Sequence, residues 1–295
     1  MRANESIWYR DSLFYINLTK LRYDEAIKQT TSGKRINKIS DNPSGAAFAL
    51  GLKDRRGQIE QFLRNLDTAR IYLANAEDVL NKVQTVLNKA ITDASQGATD
   101  TMDINQKRII ANDIDQLRSQ IMDLANTRVM NRYLFSGTLT DTRPFTEVGG
   151  TVVYNGNSND IDIQIGYSIR VTTNLPGNQV FTNPTANVFE VLANIRDHLN
   201  AGDSGAVASD IEDLGAVVDN IAYQRSIIGN RMSELDIMKN NLKEFSTNLQ
   251  EKISSIEDAD MAEAISNLTK EETGLRVTLQ SVSRIQRLTL FDYLG

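Results

Sequence analysis

The chain contains no cysteine, which excludes disulfides and thiolate metal sites and leaves an oxidising, extracellular setting open to it. It has one histidine, so zinc signatures that need paired histidines, such as H-E-x-x-H, cannot be built. Proline occurs only 4 times, and Pro144, Pro176 and Pro184 are three of those. Outside 133–185 the chain is therefore almost free of the residue that most strongly interrupts a helix. Aromatic residues make up 6% and the formal net charge is -6, a balance that disfavours phosphate backbones and anionic lipid surfaces. No nucleic acid and no membrane partner is expected. No run of 18 apolar residues exists to span a bilayer. The opening "MRANESIWYRDSLFY" carries Glu5, Arg10 and Asp11 where a signal peptide needs an unbroken apolar stretch. Export, if it occurs, is expected by a route without a cleaved signal.

What the sequence does contain is a folded composition, 40% hydrophobic and 24% charged over 295 residues, enough for one or two domains. Its strongest signal is heptad periodicity, in which apolar residues alternately three and four apart form a seam that a partner helix must cover. From Ile59 the series runs through Phe62, Leu66, Ala69, Leu73, Ala76, Leu80, Val83, Leu87, Ala90 and Ala94 with no polar exception. Ile110, Ile114, Leu117, Ile121 and Leu124 form a second series, a natural antiparallel partner across a short connection. A third runs from Ile211 to Ile256, with Arg225, Lys239 and Ser246 as its non-apolar members. At about 1.5 Å per residue it spans roughly 70 Å. The last takes in Met261, Ile265, Leu268, Leu275, Leu279 and Val282.

Residues 1–32 are ambiguous, because Ile7, Phe14 and Leu21 keep a seven-residue spacing and so do Tyr9, Ile16 and Tyr23. A helix apolar on that many sides expects burial among several neighbours. Between 133 and 185, glycines, prolines and the alternating Ile161, Ile163 and Ile165 predict a small β element. A short helix follows, with Val188, Leu192, Ile195 and Leu199 on one face and Gly202 as its stop. The expected fold class is mainly α with a small β insertion: an elongated antiparallel helical rod, a coiled-coil-like bundle, carrying a compact β domain.

Chemistry is sparse. His198 adjoins Asp197, but neighbours in sequence do not face each other on a helix, so His198 is expected to be a solvated helix residue. "NGNSNDIDI" (155–163) has the Asn/Asp density of a calcium loop without its closing glutamate, and a turn accounts for it better. "SGKRI" lacks the remainder of a phosphate loop. The acids of "DADMAE" (258–263) suit a helix N-terminus, where they complement the dipole. No catalytic, cofactor-binding or metal-ligating residue is assigned, no cofactor is expected, and the chain is not expected to be an enzyme.

In "TSGKRINKISDNPSGAAFALGL", Gly33 supplies a left-handed helix cap, and Asp41, Asn42 and Pro43 turn the chain into the next helix, making a hinge. The same stretch, followed by a long heptad helix, resembles the N-terminal signature of the bacterial flagellin superfamily. "SSIEDADMAEAISNLTKEETGLRVTLQSVSRI" is similar to the paired C-terminal signature, and the two ends together cover roughly half the chain. Within the superfamily, "NRYLFSGTLTDTRPF" and the ending "RLTLFDYLG" resemble the junction proteins that connect hook to filament more than they resemble flagellins.

The resemblance implies a secreted, extracellular structural subunit of the flagellum, exported unfolded by the type III apparatus with an export chaperone. It implies self-association in a ring at the hook-filament junction, between an adjacent hook-associated junction protein and flagellin. It further implies that the terminal segments pair as coiled coils in the assembly and are disordered in the free monomer, a role carried to Ile7, Phe14, Leu21, Leu275, Leu279 and Val282. The expected division is an N-terminal assembly segment (1–44), N-terminal rod helices (45–132), an outward-facing β domain (133–185), a short helix with a long rod helix (186–256) and a C-terminal assembly helix (257–295). The alternatives are a flagellin filament subunit or, in a different class, a coiled-coil adaptor or signalling rod. The latter has no reason to insert a β domain between its heptads. A surface enzyme grafted on the same frame would need catalytic residues in a middle that offers one histidine.

Overall fold

The computed structural model describes the backbone of residues 2–184 and 186–294, and the side chains of 9–184 and 186–284. In chain order the helices are α1 (Arg2–Ser32), α2 (Pro43–Gly97), α3 (Ile104–Ala125), α4 (Gly177–Val180), α5 (Val188–Ala201), α6 (Ser204–Glu257) and α7 (Met261–Leu294). Between α3 and α5 lie four antiparallel strand pairs: β1 (Arg128–Val129) with β2 (Arg132–Tyr133), β3 (Phe145–Val148) with β4 (Thr151–Tyr154), β5 (Asp162–Gln164) with β6 (Arg170–Thr172), and β7 (Thr182–Asn183) with β8 (Ala186–Asn187). The fold is mainly α with a small β part. Two compact units make it up, Met1–Gln58 with Glu244–Gly295, and Ile59–Lys243, and α2 and α6 contribute to both.

The larger unit is organised by the seam of α2. All eleven positions from Ile59 to Ala94 are buried, none more than 8% exposed. The apolar faces of α3, α5 and α6 share their core: Ile114 and Ile121, Leu192 and Ile195, Leu214 and Ile221 are each fully buried. A large aliphatic side chain taken out of water in this way contributes roughly 1.5–3 kcal/mol. The non-apolar members of the α6 seam are partnered. Arg225 donates to Glu77 Oε1 at 2.6 Å and to Gln84, and Lys239 Nζ lies 2.6 Å from Asp67 Oδ1. Charge at these positions fixes which α2 residue each α6 residue faces, which an apolar seam alone specifies loosely.

Helix ends follow the local chemistry. Asp103 and Gln106 form a reciprocal capping box on α3, Asn187 caps α5, and Gly202 closes α5 at φ +79°. The long C-terminal rod starts earlier than its heptads suggest, at Ser204, because Asp203 Oδ1 accepts the Ala206 amide at 3.0 Å and caps it.

The strand pairs are short and are held by aromatics. Phe135, Phe145, Phe181 and Phe189 are buried together, with ring centroids 5.1 Å apart for Phe135 and Phe181 and 5.4 Å for Phe145 with Phe181 and with Phe189. Tyr154 packs on Phe145 at 5.2 Å, and its hydroxyl accepts the Gly177 amide at 3.2 Å. Burial pushes the Tyr154 phenol up. The turn of "YLFSGT" is defined by contact as well as conformation. Gly137 has φ +68°, and a Cβ there would lie 2.1 Å from the carbonyl oxygen of Asn157. Asn157 Oδ1 in turn accepts the Thr138 amide at 2.9 Å and the Asn159 amide at 3.2 Å, so the Asn-rich loop spends its side chains on backbone donors.

Two glycines separate strain from collision. Gly149 also has a positive φ, +61°, but nothing lies within 4 Å of its would-be Cβ. Gly149→Ala is expected to cost about 1 kcal/mol and Gly137→Ala about 3 kcal/mol or more, because only the second must move backbone. Urea unfolding of the two variants checks this; equal losses would mean that the turn at Gly137 relaxes freely.

Candidate assembly interface

Within the smaller unit, α1 stops at Ser32 and the chain turns at Gly33, whose φ is +67° and whose amide donates to Gln29 O at 3.0 Å. The next residues run antiparallel to the end of α6. Arg35 N donates to Glu257 O at 2.7 Å, Ile36 N to the same oxygen at 3.3 Å, and Ala259 N to Gly33 O at 2.9 Å. Lys34 and Asp258 form the bridge between the two strands of chain. Ile36 is buried at 8% exposure and anchors the connector.

The turn into α2 is closed by two side chains. Asp41 Oδ2 accepts the amides of Asn37 at 3.0 Å and Lys38 at 2.8 Å, and these bonds hold the Asp41 carboxyl below its usual range. Asn42 Oδ1 accepts the Gly45 amide at 2.9 Å, which caps α2, and Pro43 occupies its first position, where a missing N–H costs nothing. Gly33, Asp41, Asn42 and Pro43 thus all lie in one connector. Beyond α6, Asp260 Oδ1 accepts the amides of Ala262 at 2.8 Å and Glu263 at 3.3 Å and caps α7. The acidic cluster is helix-start chemistry.

The two terminal helices pack on each other. The residues of α1 drawn out of solvent include Ile16, Thr19, Tyr23, Ala26 and Thr30, a series alternately three and four apart, with Ser12, Leu18, Ile27 and Gln29 partly covered beside it; those of α7 include Ala264, Leu268, Glu271, Leu275, Thr278 and Val282. Thr30 Oγ1 reaches Ala264 O at 3.4 Å across the seam. Of the two series competing in α1, the one containing Ile16 and Tyr23 faces α7. Phe14 and Leu21, from the other, are 63% and 66% exposed. Leu275 and Val282 lie on the seam, whereas Leu279 is 48% exposed beside the exposed Val277. The structure therefore does not bring Phe14, Leu21 and Leu279 into the intramolecular seam. The side chain of Ile7 and those of the closing segment 285–295 lie outside the described residues.

Sequence reasoning missed two features here and in the larger unit. Glu257, the buried carboxylate of the connector, is invisible to a periodicity count because its role depends on segments more than 200 residues away. His198 is not simply solvated: its Nδ1 lies 2.6 Å from Oδ2 of the buried Asp210, tying α5 to α6. Among the described residues, no three His, Asp or Glu side chains group closely enough to hold a metal ion.

Comparison with known proteins gives a consistent result. The model of the bacterial flagellin N-terminal helical region matches residues 5–140, and that of the bacterial flagellin C-terminal helical region matches 211–294. Flagellar hook-associated protein 3 of Escherichia coli (strain K12) is 25% identical over 318 residues, covering 99% of this chain and 99% of that one. The protein of the same name from Salmonella typhimurium is 22% identical with the same coverage. Among solved structures, FlgL of Bacillus cereus superposes with a TM-score of 0.61 at 24% identity, covering 69% of this chain and 99% of that chain, so the fold is shared. With both terminal regions matched, a relative aligned end to end and helices at both chain ends joined in one seam, the chain belongs to the bacterial flagellin superfamily of structural flagellar proteins.

Proposed function

We propose that this protein is a subunit of the hook-filament junction, exported through the type III apparatus with a chaperone and assembled outside the cell as a ring between a second junction protein and the first flagellin subunits. The observation that carries this reading is the second apolar series on the terminal helices. Phe14 and Leu21 on α1, and Ile265, Val277 and Leu279 on α7, remain exposed after the two helices have covered each other. Exposed apolar side chains repeating along a helix are a surface that a further helix covers, and copies of the same chain supply such helices in a ring. Phe14, Leu21 and Leu279 are assigned to contacts between subunits. Leu275 and Val282 hold the pair of helices that presents them, and Ile7 is assigned with Phe14 and Leu21 from its seven-residue spacing. Identity of 25% and 22% over 99% of this chain to proteins named hook-associated protein 3, against 21% over 96% for a flagellin of Listeria innocua, favours the junction over the filament.

Cells lacking the gene are expected to build complete hooks without attached filaments and to release unpolymerised flagellin; filaments of normal length, seen by electron microscopy, would refute the junction assignment. A pair of substitutions separates assembly from folding. Leu279→Asp places a carboxylate on a side chain that is already half exposed, so the purified chain should melt within about 2 °C of wild type while failing to enter the assembly. Leu87 is fully buried on the α2 seam, and Leu87→Asp should lose about 4 kcal/mol or more. If Leu279→Asp assembles normally, the exposed series is not the contact.

A further inference from the structure

Glu257, the last residue of α6, is a carboxylate whose side chain is only 10% exposed, and it is held from three directions. Its Oε2 accepts from Lys34 Nζ at 3.1 Å, its Oε1 from Lys53 Nζ, and its backbone carbonyl accepts the amides of Arg35 and Ile36. Lys34 comes from the connector after α1 and Lys53 from α2, so one residue joins the connector and α2 to the end of α6. Three residues further on, Asp260 caps α7. The start of the seam between α1 and α7 is therefore fixed by the pairing that Glu257 secures.

We propose that Glu257 is an acid-sensitive latch: ionised, it clamps residues 33–36 against 256–259 and holds α1 and α7 in register; protonated, it releases them. Both lysines are close to half exposed, at 45% and 40%, so each can turn to water when the carboxylate loses its charge. Release is therefore inexpensive for the cations and removes both charge-assisted bonds at once. The neighbouring charges do not substitute for Glu257. Arg35 is engaged with the carbonyl of Ile256 at 3.0 Å and borders, with Asp260 and Glu263 of α7, a small cavity of about 80 Å³. The Asp258 carboxylate takes the Ser254 hydroxyl.

Burial, the largest single influence, opposes ionisation of Glu257, but the hydrogen bonds and positive charges of Lys53 and Lys34 together outweigh it and hold its carboxyl below the usual glutamate range. A carboxyl with a lowered folded value favours the folded form when ionised. The latch is therefore fully closed above the ordinary glutamate pKa and opens as pH falls through the lowered one. The property belongs to the single chain and does not depend on where in the flagellum the chain sits.

Hydrogen exchange on the full-length protein, expressed as protection factors so that intrinsic pH effects cancel, tests the latch at the amides of Arg35, Ile36 and Ala259. In the wild type their protection should fall at least tenfold as pH drops through the lowered Glu257 value, while amides of the larger unit such as Ala90 and Ile114 keep theirs. Glu257→Gln, close to isosteric, should lose that protection at neutral pH and abolish its pH dependence. Lys34→Met and Lys53→Met, the second route should Glu257→Gln fail to fold, should each weaken protection in the wild type and add nothing in the Glu257→Gln background. Unchanged protection in Glu257→Gln, an unchanged pH profile, or fully additive lysine effects would each overturn the latch.

Discussion

A stripe of apolar side chains on a helix cannot be left in water, and nearly everything in this protein follows from covering such stripes. Along α2 the stripe has no polar interruption between Ile59 and Ala94. A helix tens of residues long gains little from propensity alone, so its order comes from the helices that pack on it. The partners are selected first by apolar burial and then by charge: where α6 places Arg225 and Lys239 on its seam, α2 answers with Glu77 and Asp67. The β region is bound to the same core by its phenylalanines, with Val171 of β6 and Ala186 of β8 beside them, while its strands are two to four residues long and paired only two by two. Two-stranded ribbons of that length are marginal in isolation.

The terminal helices obey the same rule with a different outcome. Each has more apolar surface than one partner can cover. α1 turns Ile16, Tyr23 and Ala26 toward α7 and leaves Phe14 and Leu21 outside. In the junction assembly proposed above, neighbouring copies of the chain cover that surface. The connector that places these helices is polar, built from a left-handed glycine, two caps and the carboxylate of Glu257, so its strength depends on charge state in a way that an apolar seam does not.

Much of this was legible in the chain itself. Heptad spacing located α2, α3 and most of α6, glycine and Asn/Asp chemistry located the turns at Gly33, Asp41–Pro43 and Gly202, and the two terminal signatures pointed to the superfamily. Those features are local: periodicity, capping and turn conformation depend on residues within a few positions of one another. Two helix-level details were not legible for the same reason in reverse. Which of two equal seven-residue series in α1 faces inward is undetermined until α7 is beside it, and α6 begins at Ser204 because of a cap, outside the heptads that signal it.

Residue order along the chain specifies the set of stripes and breaks: where helices run, which faces are apolar, where the chain must turn, and that the first helix is apolar on more sides than one neighbour covers. Beyond the antiparallel pairing of α2 with α3, the contacts across long stretches of chain come from the fold. It gathered Phe135, Phe145, Phe181 and Phe189 into one cluster, set His198 against Asp210, and brought Glu257 to Lys34 and Lys53 across more than 200 residues of chain. A charged side chain looks the same in sequence whether it is solvated or buried against a partner. The difference lies in the desolvation and the counter-charge that the fold alone supplies.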